Sequence, residues 1–206
     1  MKILTIAATE GEIAPFLRSP AGQAPETDVL VTGVGMVATA FALGKRLATH
    51  RYDLLLNVGI AGSFDRSIPL GDVVCVYQDT FAELGAEDGD DFLPSDELGL
   101  GEHTFEGVQQ GHKGLDTLRK CRGITVNKVH GNDAAIAEII RRLNPQTESM
   151  EGAAVFYAAH QLALPALQVR AISNYVERRN RTSWEIATAV ENLNHWLGAF
   201  FNPRPR

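Results

Sequence analysis

Short apolar runs with strand character alternate with helical periods along this chain, and that alternation most limits what it can fold into. Residues 2–8, 28–33, 53–59, 71–80, 121–130 and 166–173 read as strands, and residues 35–49, 132–143, 150–162 and 183–201 as helices. Met36, Ala40, Leu43 and Leu47 recur at helical spacing in the first helix of that size, and Ile186, Val190, Leu193 and Leu197 in the last. Such stripes are read as core-facing. Strands that alternate with crossover helices run mostly parallel and are covered on both faces. The expected fold is therefore α/β, a single-domain αβα sandwich over residues 1–206 with a mostly parallel, mixed central sheet. No internal repeat or linker divides the chain.

Composition narrows the function classes. At 206 residues and 45% hydrophobic content the chain can bury one substantial core, and its net charge of −6 argues against a nucleic-acid surface. The one basic run, Glu177-Arg178-Arg179-Asn180-Arg181, is followed closely by acids and a Trp. It reads as a solvated loop or a lid near the site rather than an RNA patch. Cys75 and Cys121 sit in strand-like runs without a CxxC pair or a His at metal spacing, which points to buried reduced thiols in a cytoplasmic protein. The first apolar run stops at Glu10, too soon for a signal peptide, and no run approaches the roughly 20 apolar residues that span a bilayer. Residues 82–114, with Glu87-Asp88-Gly89-Asp90-Asp91 at their centre, have no sustained period and no full EF-hand pattern. They are expected to form a mobile acidic loop.

Three positions carry chemistry. Glu151, in Glu148-Ser149-Met150-Glu151-Gly152-Ala153-Ala154, opens an apolar helical stretch. A carboxylate there is costly to bury unless donors meet it. A ribose cis-diol supplies two, and the same charge favours positive character on a sugar whose glycosidic bond is breaking. The plainer alternative is a helix-start Glu complementing the macrodipole. Asn174, in Arg170-Ala171-Ile172-Ser173-Asn174, falls at the C-terminal end of a strand-like run, where open α/β sheets bind ligands. Its amide offers an acceptor and two donors, which suits O6 and protonated N7 of a 6-oxopurine. It is otherwise a turn residue after a strand. Glu12, in Thr9-Glu10-Gly11-Glu12, lies near the C-terminal edge of the first strand and can face the same cavity, or it can serve as an ordinary first-turn acid.

Thr9-Glu10-Gly11-Glu12, Asn57-Val58-Gly59-Ile60-Ala61-Gly62, Ser149-Met150-Glu151 and Arg170-Ala171-Ile172-Ser173-Asn174 together resemble the purine nucleoside phosphorylase and nucleosidase superfamily. The branch is that of methylthioadenosine/S-adenosylhomocysteine nucleosidase. Within it, Val31-Thr32-Gly33-Val34-Gly35-Met36-Val37-Ala38-Thr39-Ala40 and Ser173-Asn174-Tyr175-Val176-Glu177-Arg178-Arg179-Asn180-Arg181 resemble the futalosine hydrolases most closely. The match runs nearly end to end, in order and at compatible spacing.

The resemblance implies a role for each matching position. Glu12 matches the carboxylate that activates the attacking water, Ala61 and Gly62 the glycine-rich turn beside the base, and Met150 with Glu151 the ribose clamp. His130 falls where the family lines its nucleoside pocket, and Asn174, with Ser173 beside it, matches the leaving-group residue. Residues 82–114 match the region that covers the substrate tail and forms the dimer, with Phe81, Phe92 and Phe105 as candidates for the cover. The implied partner is a small nucleoside, with no metal, organic cofactor, nucleic acid or membrane, and with a homodimer or higher homo-oligomer as the assembly.

In adenine-releasing nucleosidases the residue at 174 is Asp. Asn is not a general acid at neutral pH, so a proton for the leaving base must come from water or another group. Against adenine the amide leaves a donor unpaired, a mismatch worth on the order of 1–3 kcal/mol. Hypoxanthine release from futalosine, a step towards menaquinone in the resembled family, is therefore favoured over adenine release. A phosphorylase gathers phosphate with cations near its first glycine-rich loop, whereas this loop holds Glu10 and Glu12 and no cation. Water is then the nucleophile. Three other readings carry less: a methylthioadenosine/S-adenosylhomocysteine-type nucleosidase or a purine nucleoside phosphorylase; a nucleoside binder without turnover, against which both Glu12 and Glu151 stand; and a dinucleotide-binding domain. The last rests on Gly33-Val34-Gly35-Met36-Val37-Ala38, but the strand that follows ends in Asn57-Val58-Gly59 where a ribose-binding acid is wanted.

Overall fold

The structure, a computed structural model, describes residues 1–24, 27–89, 91–108 and 114–202. Part of the acidic stretch, including Asp90, lies outside them. In chain order the elements are β1 (Ile3–Ala7), α1 (Glu10–Leu17), β2 (Thr27–Val31), α2 (Met36–Thr49), β3 (Leu54–Ser63), β4 (Val73–Phe81), β5 (Gly85–Asp88) and β6 (Asp91–Pro94). There follow β7 (Thr104–Glu106), β8 (Arg119–Thr125), α3 (Asp133–Leu143), β9 (Thr147–Ser149), α4 (Gly152–Gln161), β10 (Ala166–Tyr175), a 3-10 turn over Arg181–Ser183, and α5 (Ile186–Phe201).

The central sheet is mixed and mostly parallel. β2, β1, β3 and β10 lie side by side and parallel, and β4 closes antiparallel on β10. β3 changes partner along one edge: Leu54 to Asn57 pair with β1, while Gly62 and Ser63 pair with β9. Since β9 also pairs with β8, and β8 with β4, the strands β3, β10, β4, β8 and β9 close a circuit. Among the described residues β2 pairs with β1 alone, so the sheet is open at the β2 edge and barrel-like around the C-terminal half of β3.

Alternation along each strand feeds two layers. Ile3 and Ala7 of β1 with Leu54, Leu56 and Val58 of β3 pack towards α1 and α5, whereas Leu4, Ile6 and Leu55 pack towards α2 and α4. Leu43, Leu55 and Phe156 are fully enclosed, each stabilising the fold by roughly 1.5–3 kcal/mol relative to exposure.

Several expectations need correction. The buried side of α2 is Thr39, Leu43 and Leu47, not the side carrying Ala40, and Val37 and Phe41 are left exposed. In α5, Leu193 and Leu197 are core, but Ile186 and Val190 face a cavity, so that stripe serves two environments. The last helix begins at Ile186 rather than 183, because Arg181–Ser183 form their own short turn. Within the acidic stretch, β5 and β6 form an antiparallel hairpin and β7 joins β4, so it is more ordered than a loop. Phe81 and Phe105 stack edge-on with each other and with Tyr157, and Phe92 lies under the Arg142 guanidinium. None of these three phenylalanines lines the cavity described below. Cys75 and Cys121 are buried and unbridged.

Candidate active site

A cavity of about 510 Å³ opens at the C-terminal ends of β1, β3 and β10. Glu12, Ala61, Gly62, His130, Met150, Glu151, Ser173 and Asn174 all line it. Distant segments meet there because parallel strands end on one side of a sheet.

Glu12 is the third residue of α1. Its Oε2 accepts from the backbone N–H and the hydroxyl of Thr9, both at 2.9 Å, and its Oε1 accepts from the Ile60 N–H at 3.1 Å. The bond back to Thr9 is the helix-start role that a first-turn acid can play. The same carboxylate faces the cavity, so the two readings describe one residue.

Glu151 precedes α4 but makes no capping bond to its own helix. Its side chain turns instead to the Gly35 N–H, which donates to Oε1 at 3.0 Å. Gly33 and Gly35 have φ of +88° and +94°, a region that glycine enters without strain. The glycine pair that resembled a dinucleotide fingerprint thus presents an amide to the chain's own carboxylate.

Arg170 pairs with Glu151. It is 1% exposed, and its Nη1 lies 3.6 Å from Glu151 Oε2. Across the strand pair it faces Gly59, where a Cβ would come within 2.4 Å of Nη1 and 2.8 Å of Glu12 Oε1. Only a glycine at 59 leaves room for a guanidinium and a carboxylate to converge there. The Nε and Nη2 of Arg170 meet no acceptor among the described residues. Arg170 was legible as part of a motif but not as a site residue. The missed signal is a charge inside the apolar run 167–172, which can be buried only if it is paired.

At the other end, β10 bulges between Ile172 and Asn174, so that Ile172 pairs with Ala61 and Asn174 with Gly62. A bulge re-aims the following side chain. Here Asn174 continues the strand beyond the bulge rather than forming a turn. The Ser173 hydroxyl donates to Asn174 Oδ1 at 2.8 Å, and Asn174 Nδ2 donates to the Tyr175 carbonyl at 3.1 Å. A Cβ on Gly62 would lie 3.2 Å from that Nδ2 and 3.5 Å from Glu148 Cγ, so the glycine keeps this end open.

Glu148 is a second residue that sequence reasoning passed over, although it begins the quoted motif. It is buried, lines the cavity, and holds His130 twice: the His130 N–H donates to Oε1 at 3.1 Å, and Oε2 stands 2.6 Å from Nδ1. β8 ends at Thr125, so His130 belongs to the loop before α3 rather than to a strand end.

The rim comes from the chain after β10. Arg179 lies 5.4 Å from the Trp184 ring centroid, and both line the cavity with Ile186 and Val190. The basic run therefore contributes Arg179, while Arg178 and Arg181 are exposed outside the lining. Glu12, Glu148, Glu151 and Glu177 bring negative charge to the walls, against Arg179 as the one Arg or Lys among the described lining residues. Glu177 is itself paired with Arg66.

Beneath the site, Asp79 is sealed from solvent and from the cavity. Thr125 donates to its Oδ1 at 2.9 Å and Gln168 to its Oδ2 at 2.7 Å, while the Ala153 N–H donates to the Thr125 hydroxyl. Burial pushes the Asp79 carboxyl up to about 6, against the lowering effect of its hydrogen bonds. This network ties the start of α4 to β4, β8 and β10.

A mixed sheet of this topology, with a cavity walled by acids at its strand ends, defines a class. The phosphorylase superfamily model matches residues 21–202, and the chain belongs to that superfamily. Its relatives include the futalosine hydrolase of Streptomyces coelicolor, 35% identical over 181 residues, which are 83% of this chain and 77% of that protein. The futalosine hydrolase of Thermus thermophilus is 29% identical, with 89% and 85% covered. Among solved structures, a methylthioadenosine/S-adenosylhomocysteine nucleosidase of Helicobacter pylori carrying butyl-thio-DADMe-Immucillin-A superposes with a TM-score of 0.81 at 15% identity over 97% of each chain. The native futalosine hydrolase of Helicobacter pylori gives 0.80 at 16%, again over 97% of each. These two likenesses show the fold.

Proposed function

We propose that this protein hydrolyses the N-glycosidic bond of futalosine, releasing hypoxanthine and dehypoxanthine futalosine, a step towards menaquinone. The observation that carries the reading is one cavity with two held carboxylates, Glu12 and Glu151, at one end and an oriented amide, Asn174, at the other. Relatives bearing that enzyme name add to it.

Glu151 accepts hydrogen bonds from the ribose 2′- and 3′-hydroxyls, and its charge stabilises the oxocarbenium character that develops as the C1′–N9 bond stretches. Glu12 takes a proton from water as the oxygen adds to C1′. Backbone donors from Thr9 and Ile60 fix that carboxylate before substrate arrives. Arg170 sets its positive charge beside Glu151 without entering the cavity. Asn174 receives the base: Ser173 occupies one lone pair of Oδ1, leaving the other for N7–H, and Tyr175 takes one proton of Nδ2, leaving the other for O6.

Water rather than phosphate is the nucleophile, because the walls near Glu12 carry carboxylates and like charge disfavours an anion. Arg170 does not reverse this, being walled off and already paired with Glu151. The protein acts in the cytoplasm; among the described residues no helix is long and apolar enough to cross a membrane. It works as a homo-oligomer through α2, whose Val37 and Phe41 are 77% and 71% exposed beside the cavity-lining Val34. Sedimentation at micromolar concentration should therefore give a mass above the 22.4 kDa of one chain.

The decisive assay is base release from futalosine, inosine, adenosine and methylthioadenosine, each with and without phosphate. Hypoxanthine from futalosine, indifferent to phosphate, is the expected result. Adenine release would remove the role given to Asn174, and a phosphate requirement would remove the role given to the acidic first loop.

A further inference from the structure

We propose that His130, set by Glu148 in one tautomer, reads N1–H of the 6-oxopurine and is the second half of the base recognition begun by Asn174. The inference rests on the function proposed above and goes beyond it.

Glu148, Gly62 and Asn174 lie in a row across three adjacent strands, Gly62 pairing with Glu148 on β9 and with Asn174 on β10. The bare Gly62 separates the two side chains, since a Cβ there would touch both. Whatever lies over Gly62 and meets the Asn174 amide therefore has the Glu148–His130 pair on its other side. In a 6-oxopurine, O6 stands between N7 and N1. With Asn174 on N7 and O6, the edge next in line is N1–H, a donor that needs an acceptor.

His130 supplies that acceptor through its tautomer. Glu148 is met by two donors, the His130 backbone N–H on Oε1 and the ring Nδ1 on Oε2, and an ionised carboxylate can only accept. The proton of the neutral ring is thereby drawn to Nδ1, leaving a lone pair on Nε2. Phe64 packs edge-on against the ring at 6.1 Å and helps to fix its plane. No hydrogen-bond partner meets Nε2 among the described residues, and the ring lines the cavity. Adenine presents a lone pair at N1, so it would set acceptor against acceptor there as well as donor against donor at Asn174.

Glu148→Gln tests the tautomer directly. The Gln oxygen is held by the His130 N–H, so its NH₂ donates to Nδ1 and forces the ring proton to Nε2. The ratio of kcat/KM for futalosine to that for its 6-amino counterpart should fall by roughly ten- to a hundredfold, and the ¹⁵N spectrum of histidine-labelled protein should show the proton moved to Nε2. An unchanged ratio, or a parallel fall for both substrates, would overturn the inference and leave the hydrolase reading intact. Should that variant fail to fold, the unaltered protein still decides. Its His130 Nε2 resonance should shift on adding hypoxanthine and not on adding 1-methylhypoxanthine; no shift with hypoxanthine overturns the proposal. Loss of futalosine hydrolysis in the unaltered protein would instead sink the function, and this titration with free bases would remain readable.

Discussion

Two residues apart on β10, Gln168 and Arg170 point the same way and each meets buried carboxylate. Gln168 gives Asp79 one neutral N–H, and Asp79 is closed off on every side with its carboxyl pushed up to about 6. Arg170 brings a full positive charge to Glu151, and that acid opens, with Glu12, onto a cavity. The pairs differ in donor and in access. A carboxylate met by neutral groups and sealed from solvent can tie elements together, but no substrate reaches it. One paired with a cation and met by a backbone amide, with a face left on a cavity, stands where a ligand can reach it.

The comparison predicts where substitutions will hurt. Glu12→Gln removes the proposed general base while keeping the volume and one of the backbone partners, and kcat should fall by about 10² to 10⁴. Hypoxanthine affinity should stay near that of the unaltered protein, because the proposed contacts to the purine lie at Asn174. Equal activity in the variant would take Glu12 out of the mechanism. Next in size is Arg170→Met. With the guanidinium gone, the buried Glu151 carboxylate loses its cation, and stripping one partner from a buried ion pair costs about 3–5 kcal/mol. Urea unfolding should show that loss, together with reduced turnover. A variant as stable as the parent would mean that Glu151 is held by its backbone donor alone.

Much of this arrangement was legible from residue patterns. The strand-helix alternation gave the layers, because each apolar run needed cover on both sides. Glu12, Glu151 and Asn174 were found because each is a polar group at the edge of an apolar run. What escaped depended on contacts between distant segments. β9 is three residues long, Thr147–Ser149, too short to have a period, yet it closes the circuit of strands and carries Glu148 into the wall. β3 runs on to Ser63 through Gly59, Ala61 and Gly62, residues that look like a loop by composition. Gly59 and Gly62 are bare because Arg170 and Glu12, and Asn174 and Glu148, occupy the space a Cβ would take. Phe81 and Phe105 looked like a cover for substrate; they pack instead with Tyr157 on the α4 side of the sheet.

The smallest effect on catalysis belongs to Asp79→Asn, and it separates the two kinds of acid most cleanly. Since the folded carboxyl titrates near 6 and its ordinary value is 3.8, the folded state binds the proton more tightly than the unfolded chain. Stability from this group is fully present below about 4, is lost as pH rises towards about 6, and changes no further above that. The interval corresponds to about 3 kcal/mol. Asn carries no such titration, and a flip of the Gln168 amide restores a donor-acceptor pair with it. The stability of the unaltered protein relative to the variant should therefore decline by that amount between pH 4 and pH 7 in parallel urea titrations, while futalosine turnover at neutral pH stays within about threefold, since nothing at 79 reaches the cavity. A turnover loss as deep as that of Glu12→Gln would place Asp79 among the working carboxylates, and the distinction drawn from Gln168 and Arg170 would fail.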